Sequence, residues 1–166
     1  MKLPVVSAAL LAAVMADAVS AAAQDVPAQG GRMIVTYQDD ITTLDPAIGY
    51  DWQNPAMMQA IFDGLMDYRP GTTELTPDLA ESYAISEDGR TYTFKLRQGV
   101  KFHNGRVLTA ADVKYTLDRL ANPATQSPGQ PYFSAIKGYD EFVAGAASDL
   151  SGVATPDDHT VVIEMS

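Results

Sequence analysis

Apolar and polar positions along this chain repeat with a period that changes from segment to segment. The sharpest pattern lies at 91–97, where Tyr92, Phe94 and Leu96 share one face and Thr93, Lys95 and Arg97 the other. Strict alternation of this kind predicts a half-buried strand. Ser86-Glu87-Asp88-Gly89 just before it is a turn, and 81–85 reads as the second strand of a hairpin. The run Met33-Ile34-Val35-Thr36-Tyr37 is β-prone and bounded by Gly31 and Asp39-Asp40, so a buried strand is expected over 32–38. Residues 39–53 carry Asp45-Pro46 and Gly49 and read as a loop. Near the end, 160–165 predicts one more strand, entered from a turn at Pro156-Asp157-Asp158.

Between the strands the period lengthens. Met57, Met58, Ile61, Phe62, Leu65 and Met66 recur at helical spacing. Asn54 is read as the N-cap, with Pro55 at the first helical position. The helix is expected to end near Asp63 or Gly64, with 65–68 extended. Arg69-Pro70-Gly71 is a turn, and 75–79, which contains Pro77, is expected to be irregular or a single helical turn. A second helix starts from Thr109, with Asp112 three residues on as in a capping box. Val113, Leu117 and Leu120 form its apolar stripe, and Asn122-Pro123 stops it. Residues 132–147 predict a short helix.

The amino terminus follows a different logic. Lys2 precedes an apolar stretch over 3–16, and Ala21-Ala22-Ala23 supplies the small residues that signal peptidase needs. Residues 1–23 therefore read as a signal peptide cut before Gln24, with a cut after Ala21 as the alternative. The stretch is shorter than the roughly 20 apolar residues of a membrane span. Residues 24–31 are expected to be a flexible leader. The mature chain is expected to be exported, soluble and monomeric, with no membrane anchor.

Composition narrows the chemistry. The formal charge is −10, from 21 acids and 11 bases. So acidic a chain is a poor match for nucleic acid or an anionic membrane surface. With no cysteine, disulfides, thiolate zinc sites, a cysteine nucleophile and a lipoprotein anchor are all excluded. His103 and His159 lie far apart without ligand spacing, so no metal site is expected. No nucleophile elbow, phosphate loop or dinucleotide fingerprint is present. No cofactor and no enzymatic activity are expected. The one catalytic alternative is a small secreted hydrolase using Asp45 and Asp51 as a carboxylate pair.

A family resemblance runs through 75–120. It is carried by Leu75-Thr76-Pro77-Asp78-Leu79-Ala80-Glu81-Ser82-Tyr83, by Ser86-Glu87-Asp88-Gly89-Arg90-Thr91-Tyr92-Thr93-Phe94-Lys95-Leu96-Arg97 and by Gly99-Val100-Lys101-Phe102-His103-Asn104-Gly105. Leu108-Thr109-Ala110-Ala111-Asp112-Val113 extends it, and Leu44-Asp45-Pro46, Ile61-Phe62-Asp63-Gly64-Leu65 and 158–164 add to it. These segments resemble the family-5 extracytoplasmic solute-binding proteins of ABC importers, which bind peptides, nickel chelates and related solutes. Tyr83 stands where that family usually has Trp.

The resemblance implies a mixed α/β fold, a sheet with packed helices, forming the N-terminal part of a two-lobed, type II-like periplasmic binding protein. Full members run to several hundred residues. On that footing 32–166 supplies part of lobe I with its accessory subdomain, truncated, with the second lobe absent. The implied function is capture of a dipeptide, oligopeptide or related solute in the periplasm for an inner-membrane ABC permease. The alternative is a truncated remnant with no transport role.

Ligand contacts are expected on the loop after the first strand, because binding residues gather on loops held by a scaffold. Gln38, Asp39 and Asp40 leave that strand, and Tyr50, Asp51 and Trp52 precede the first helix. An aromatic there can line a pocket, and an acid can pair with a peptide's ammonium. Tyr132 and Phe133 are weaker candidates.

Overall fold

The structure, a computed structural model, describes residues 30–32, 34–36 and 39–166. The chain divides into two compact units, one ending at Thr36 and one running from Tyr37 to Ser166. The segment expected to be a signal peptide, 1–23, and nearly all of the expected leader lie outside the described residues, as do Met33, Tyr37 and Gln38.

In the first unit the strand expected over 32–38 is not formed at the residues described. Residues 34–36 form no strand, and Ile34 is 76% exposed. β-prone side chains favour a pleated surface but cannot replace the ladder partners that make a strand.

Among the described residues the helices and strands lie in the second unit: α1 (Asn54–Ile61), β1 (Met66–Tyr68), β2 (Leu75–Pro77), β3 (Ala80–Ile85), β4 (Thr91–Leu96), α2 (Ala110–Ala121), α3 (Tyr139–Val143), β5 (Val153–Asp157) and β6 (Thr160–Glu164). β1 and β2 form a small antiparallel ribbon. The other four strands form an antiparallel sheet in the order β3-β4-β6-β5. The predicted hairpin is present, with Tyr83 opposite Phe94 and Ile85 opposite Tyr92. β6 then adds to the far edge of β4, placing Val161 opposite Phe94.

One face of this sheet is covered. Phe94, Leu96, Val153 and Val161 meet Ala110 and Ala121 of α2, together with Ile136, Phe142 and Leu150. Leu150 and Val161 are fully buried, and burying a side chain of this size contributes about 1.5–3 kcal/mol. α2 has the start read from the sequence: Asp112 Oδ2 accepts the Thr109 backbone N–H at 2.9 Å. Lys114 joins the helix to Asp149 at 3.0 Å across the loop before β5.

Several boundaries differ from expectation. Gln53, not Asn54, caps α1, and the helix stops at Ile61 with Phe62 extended. Residues 75–77 form β2, a strand, where an irregular segment or helical turn is predicted. Pro77 is tolerated because it pairs at the end of a two-stranded ribbon, opposite Met66. Pro156 lies inside β5, an edge strand with an irregular register between Ala154 and Asp157; the turn is Asp158-His159. The helix expected over 132–147 is a 3-10 turn at Gln130–Phe133 followed by the five-residue α3. Between them Gly138 has φ +80°, and Lys137 bonds to Glu164 and Gly152, which precludes one continuous helix.

Candidate functional site

The loop over 39–53 is irregular yet fastened at several points. Asp45 is its first anchor. Its Oδ1 accepts the Ala47 N–H at 3.0 Å, and its carbonyl accepts the N–H groups of Ile48 and Gly49. This tight turn buries Ala47 against the unit, at 2% exposure. Arg119 of α2 then reaches Asp45 with both guanidinium arms, Nη1 to Oδ1 at 2.8 Å and Nη2 to Oδ2 at 2.5 Å. The hydrogen bond from Arg119 is the main reason the Asp45 carboxyl sits below its ordinary value of 3.8.

Asp51 is the second anchor. Its Oδ1 accepts the backbone N–H groups of Asn54 at 2.8 Å and Gln53 at 3.1 Å. Those are donors that the first turn of a helix leaves without partners. Its Oδ2 accepts the Thr42 hydroxyl at 2.8 Å, and Thr42 in turn accepts Asn54 Nδ2 at 2.8 Å. The Asn54 bond, then the Thr42 bond, hold the Asp51 carboxyl low. Asn54 is fully buried at the base of this network.

These anchors turn two aromatic side chains outward. Trp52 is 95% exposed, and Tyr50 is 46% exposed. Tyr50 packs against Gly129, in the segment that leads to Tyr132, itself 80% exposed. Asp39 and Asp40 are also exposed; Gln53 Nε2 stands 3.5 Å from Asp39. The structure thus gathers Asp51, Trp52 and Tyr50 on one anchored turn and connects Asp39 to it. Gln38 lies outside the described residues.

Sequence reasoning missed an apolar groove of about 510 Å³, lined by Ala47, Phe62, Leu65, Leu108, Val113 and Leu117, with Arg119 beside it. The helical stripe of α2 signalled it, since Val113 and Leu117 are only partly covered by the core. Seven bases stand between Arg90 and Arg119, and three of them pair with acids of this unit. Arg106 pairs with Asp112 at 2.8 Å, Lys114 with Asp118 at 3.2 Å, and Arg119 with Asp45.

As a hydrolytic pair, Asp45 and Asp51 are poorly placed. A general acid needs a raised pKa, whereas both carboxyls are pushed low by donors that saturate them.

The fold is similar to that of solved substrate-binding proteins. It superposes on the substrate-binding domain of the Bacillus anthracis oligopeptide ABC transporter with a TM-score of 0.75 and 30% identity, covering 80% of this chain and 26% of that one. The Escherichia coli murein tripeptide binding protein gives a TM-score of 0.71 at 29% identity, covering 78% and 26%. The family model for bacterial extracellular solute-binding proteins, family 5 Middle, matches residues 74–166, and the chain belongs to that family. Among curated relatives, di/tripeptide-binding protein 4 of Pseudomonas aeruginosa (strain UCBPP-PA14) is 40% identical over 114 residues, covering 64% of this chain and 20% of that protein. The dipeptide-binding protein of Escherichia coli (strain K12) is 38% identical over 109 residues, covering 61% and 19%. The chain spans about a fifth of the length of these curated relatives.

Proposed function

We propose that this chain is the N-terminal portion of a periplasmic receptor that captures peptides or peptide-like solutes for an inner-membrane ABC permease. In this reading 1–23 directs export and 24–31 is a leader. Residues 32–166 belong to lobe I and its accessory subdomain. The chain binds and does not catalyse. Ligand is met by Gln38, Asp39, Asp40, Tyr50, Asp51 and Trp52, and capture proceeds by hinge closure of two lobes.

One observation carries this reading. Trp52, the sole tryptophan, is held almost fully exposed on a loop anchored at Asp45 and Asp51. A large aromatic on a preorganised turn offers contact area at little entropic cost. The names of the relatives supply the ligand class, since dipeptide, di/tripeptide and murein tripeptide binders are all among them.

The test is titration of the chain with a dipeptide and oligopeptide library, following Trp52 fluorescence and thermal unfolding. A saturable fluorescence change with a matching rise in Tm supports the receptor reading. Indifference of both signals to every peptide overturns the reading that this chain by itself binds.

A further inference from the structure

Gly129 has a backbone that any residue adopts, with φ −83° and ψ −7°. Conformational freedom therefore does not explain glycine at this position. Space does. A Cβ built there would overlap the Tyr50 hydroxyl and Cζ and would lie 3.0 Å from Cε1. The face left bare by the missing side chain is where the Tyr50 ring rests.

Both sides of this contact are held. Ser127, only 7% exposed, accepts the Gly129 N–H on its Oγ at 3.2 Å. Gln130 Nε2 donates to the Ala121 carbonyl at 2.7 Å and ties the segment to the end of α2. On the other side, Tyr50 stands next to Asp51, whose carboxylate is fixed by Gln53, Asn54 and Thr42. The ring is thus set between a seated backbone and an anchored turn, with about half of it facing solvent.

We infer that Gly129 is a positioning residue. Its lack of a side chain seats the Tyr50 ring and, through it, fixes the turn that carries Trp52. A contact surface preorganised in this way binds more tightly because less is ordered on binding. The functional consequence rests on the proposed receptor reading; the seating itself does not.

The experiment compares the full chain with Gly129→Ala, Tyr50→Ala and the double variant. Two signals are read: the single Trp52 indole N–H resonance and peptide affinity. Because Tyr50 has solvent to move into, Gly129→Ala displaces the ring without unfolding the unit. The expected result is a shifted Trp52 resonance and about a tenfold loss of affinity, within what overpacking costs. In the Tyr50→Ala background the same substitution moves neither signal, because the atoms it would meet are gone. A shift of equal size in both backgrounds overturns the inference. Should Gly129→Ala fail to fold, recovery of folding in the double variant supports the seating, and failure of both overturns it. Coupled resonances with no peptide bound by the parent chain leave the seating standing and sink the receptor reading. Peptide binding without coupled resonances does the reverse.

Discussion

Arg119 and Asp45 form a two-pronged ion pair between the last turn of α2 and the loop before α1, 74 positions apart in sequence. Both side chains are partly shielded, at 35% and 28% exposure. Paired hydrogen bonds between charged groups are stronger and more directional than neutral ones. The fork is therefore a main tie between the loop and the helical layer. Asp45→Ala and Arg119→Ala are each expected to cost about 1–3 kcal/mol in urea unfolding, because each leaves one charge without its partner. The double variant should cost clearly less than the sum of the two. Strict additivity would show that the pair does not couple in solution.

Acid should loosen the unit in a defined window. Asp45 is held low chiefly by Arg119, Asp112 chiefly by Arg106 and Asp157 chiefly by the Thr160 hydroxyl. Each native value lies below the ordinary 3.8 of the unfolded chain. A depressed native pKa stabilises the fold above the unfolded value, and that contribution is lost as pH falls through the native one. Tm is thus expected to stay level from neutrality to about pH 5 and to decline steadily below about pH 4. Asp45→Asn should flatten part of the decline. A Tm that rises on acidification would contradict the assignment.

Asp112 has two duties: it caps α2 through the Thr109 N–H and grips Arg106 with both oxygens, at 2.9 and 2.8 Å. Asp112→Ala removes both and should destabilise by about 1–2 kcal/mol, the usual size of a lost cap. Arg106→Ala removes only the exposed pair and its stacking on Phe102, where the guanidinium lies 4.5 Å from the ring centroid. It should cost less than Asp112→Ala, because exposed ion pairs contribute little. Urea unfolding of the two variants separates the duties, and equal losses would mean that the cap contributes nothing.

The parts of the fold legible in sequence are those that a local period records. β4 announces itself because Phe94 and Leu96 face the core while Lys95 faces out. α2 is marked by Thr109 before it, by Asp112 in its first turn and by Pro123 after it. β2 was hidden, because a three-residue strand with a proline is held by its ladder to β1 and not by a pattern of its own. Residues 34–36 show the converse, β-prone composition without a strand. At the site, the Asn54-Pro55 start of α1 placed Trp52 and Asp51 just ahead of a helix to within one residue. The Arg119 fork and the seat of Tyr50 on Gly129 join distant segments, and no local spacing encodes such contacts.

Trp52 offers the cleanest separation of stability from function. At 95% exposure it contributes almost nothing to the core, so Trp52→Ala should change unfolding free energy by less than about 0.5 kcal/mol. A side chain kept for packing would cost several times that on truncation. The same substitution should weaken peptide binding by about tenfold or more, since large aromatics dominate the contact energy of binding surfaces. Trp52→Phe should recover part of the affinity at unchanged Tm. Calorimetric titration beside thermal unfolding reads both quantities on the same variants. Unchanged affinity in a fully folded Trp52→Ala chain would remove this loop from the ligand surface and turn attention to the apolar groove beside Arg119.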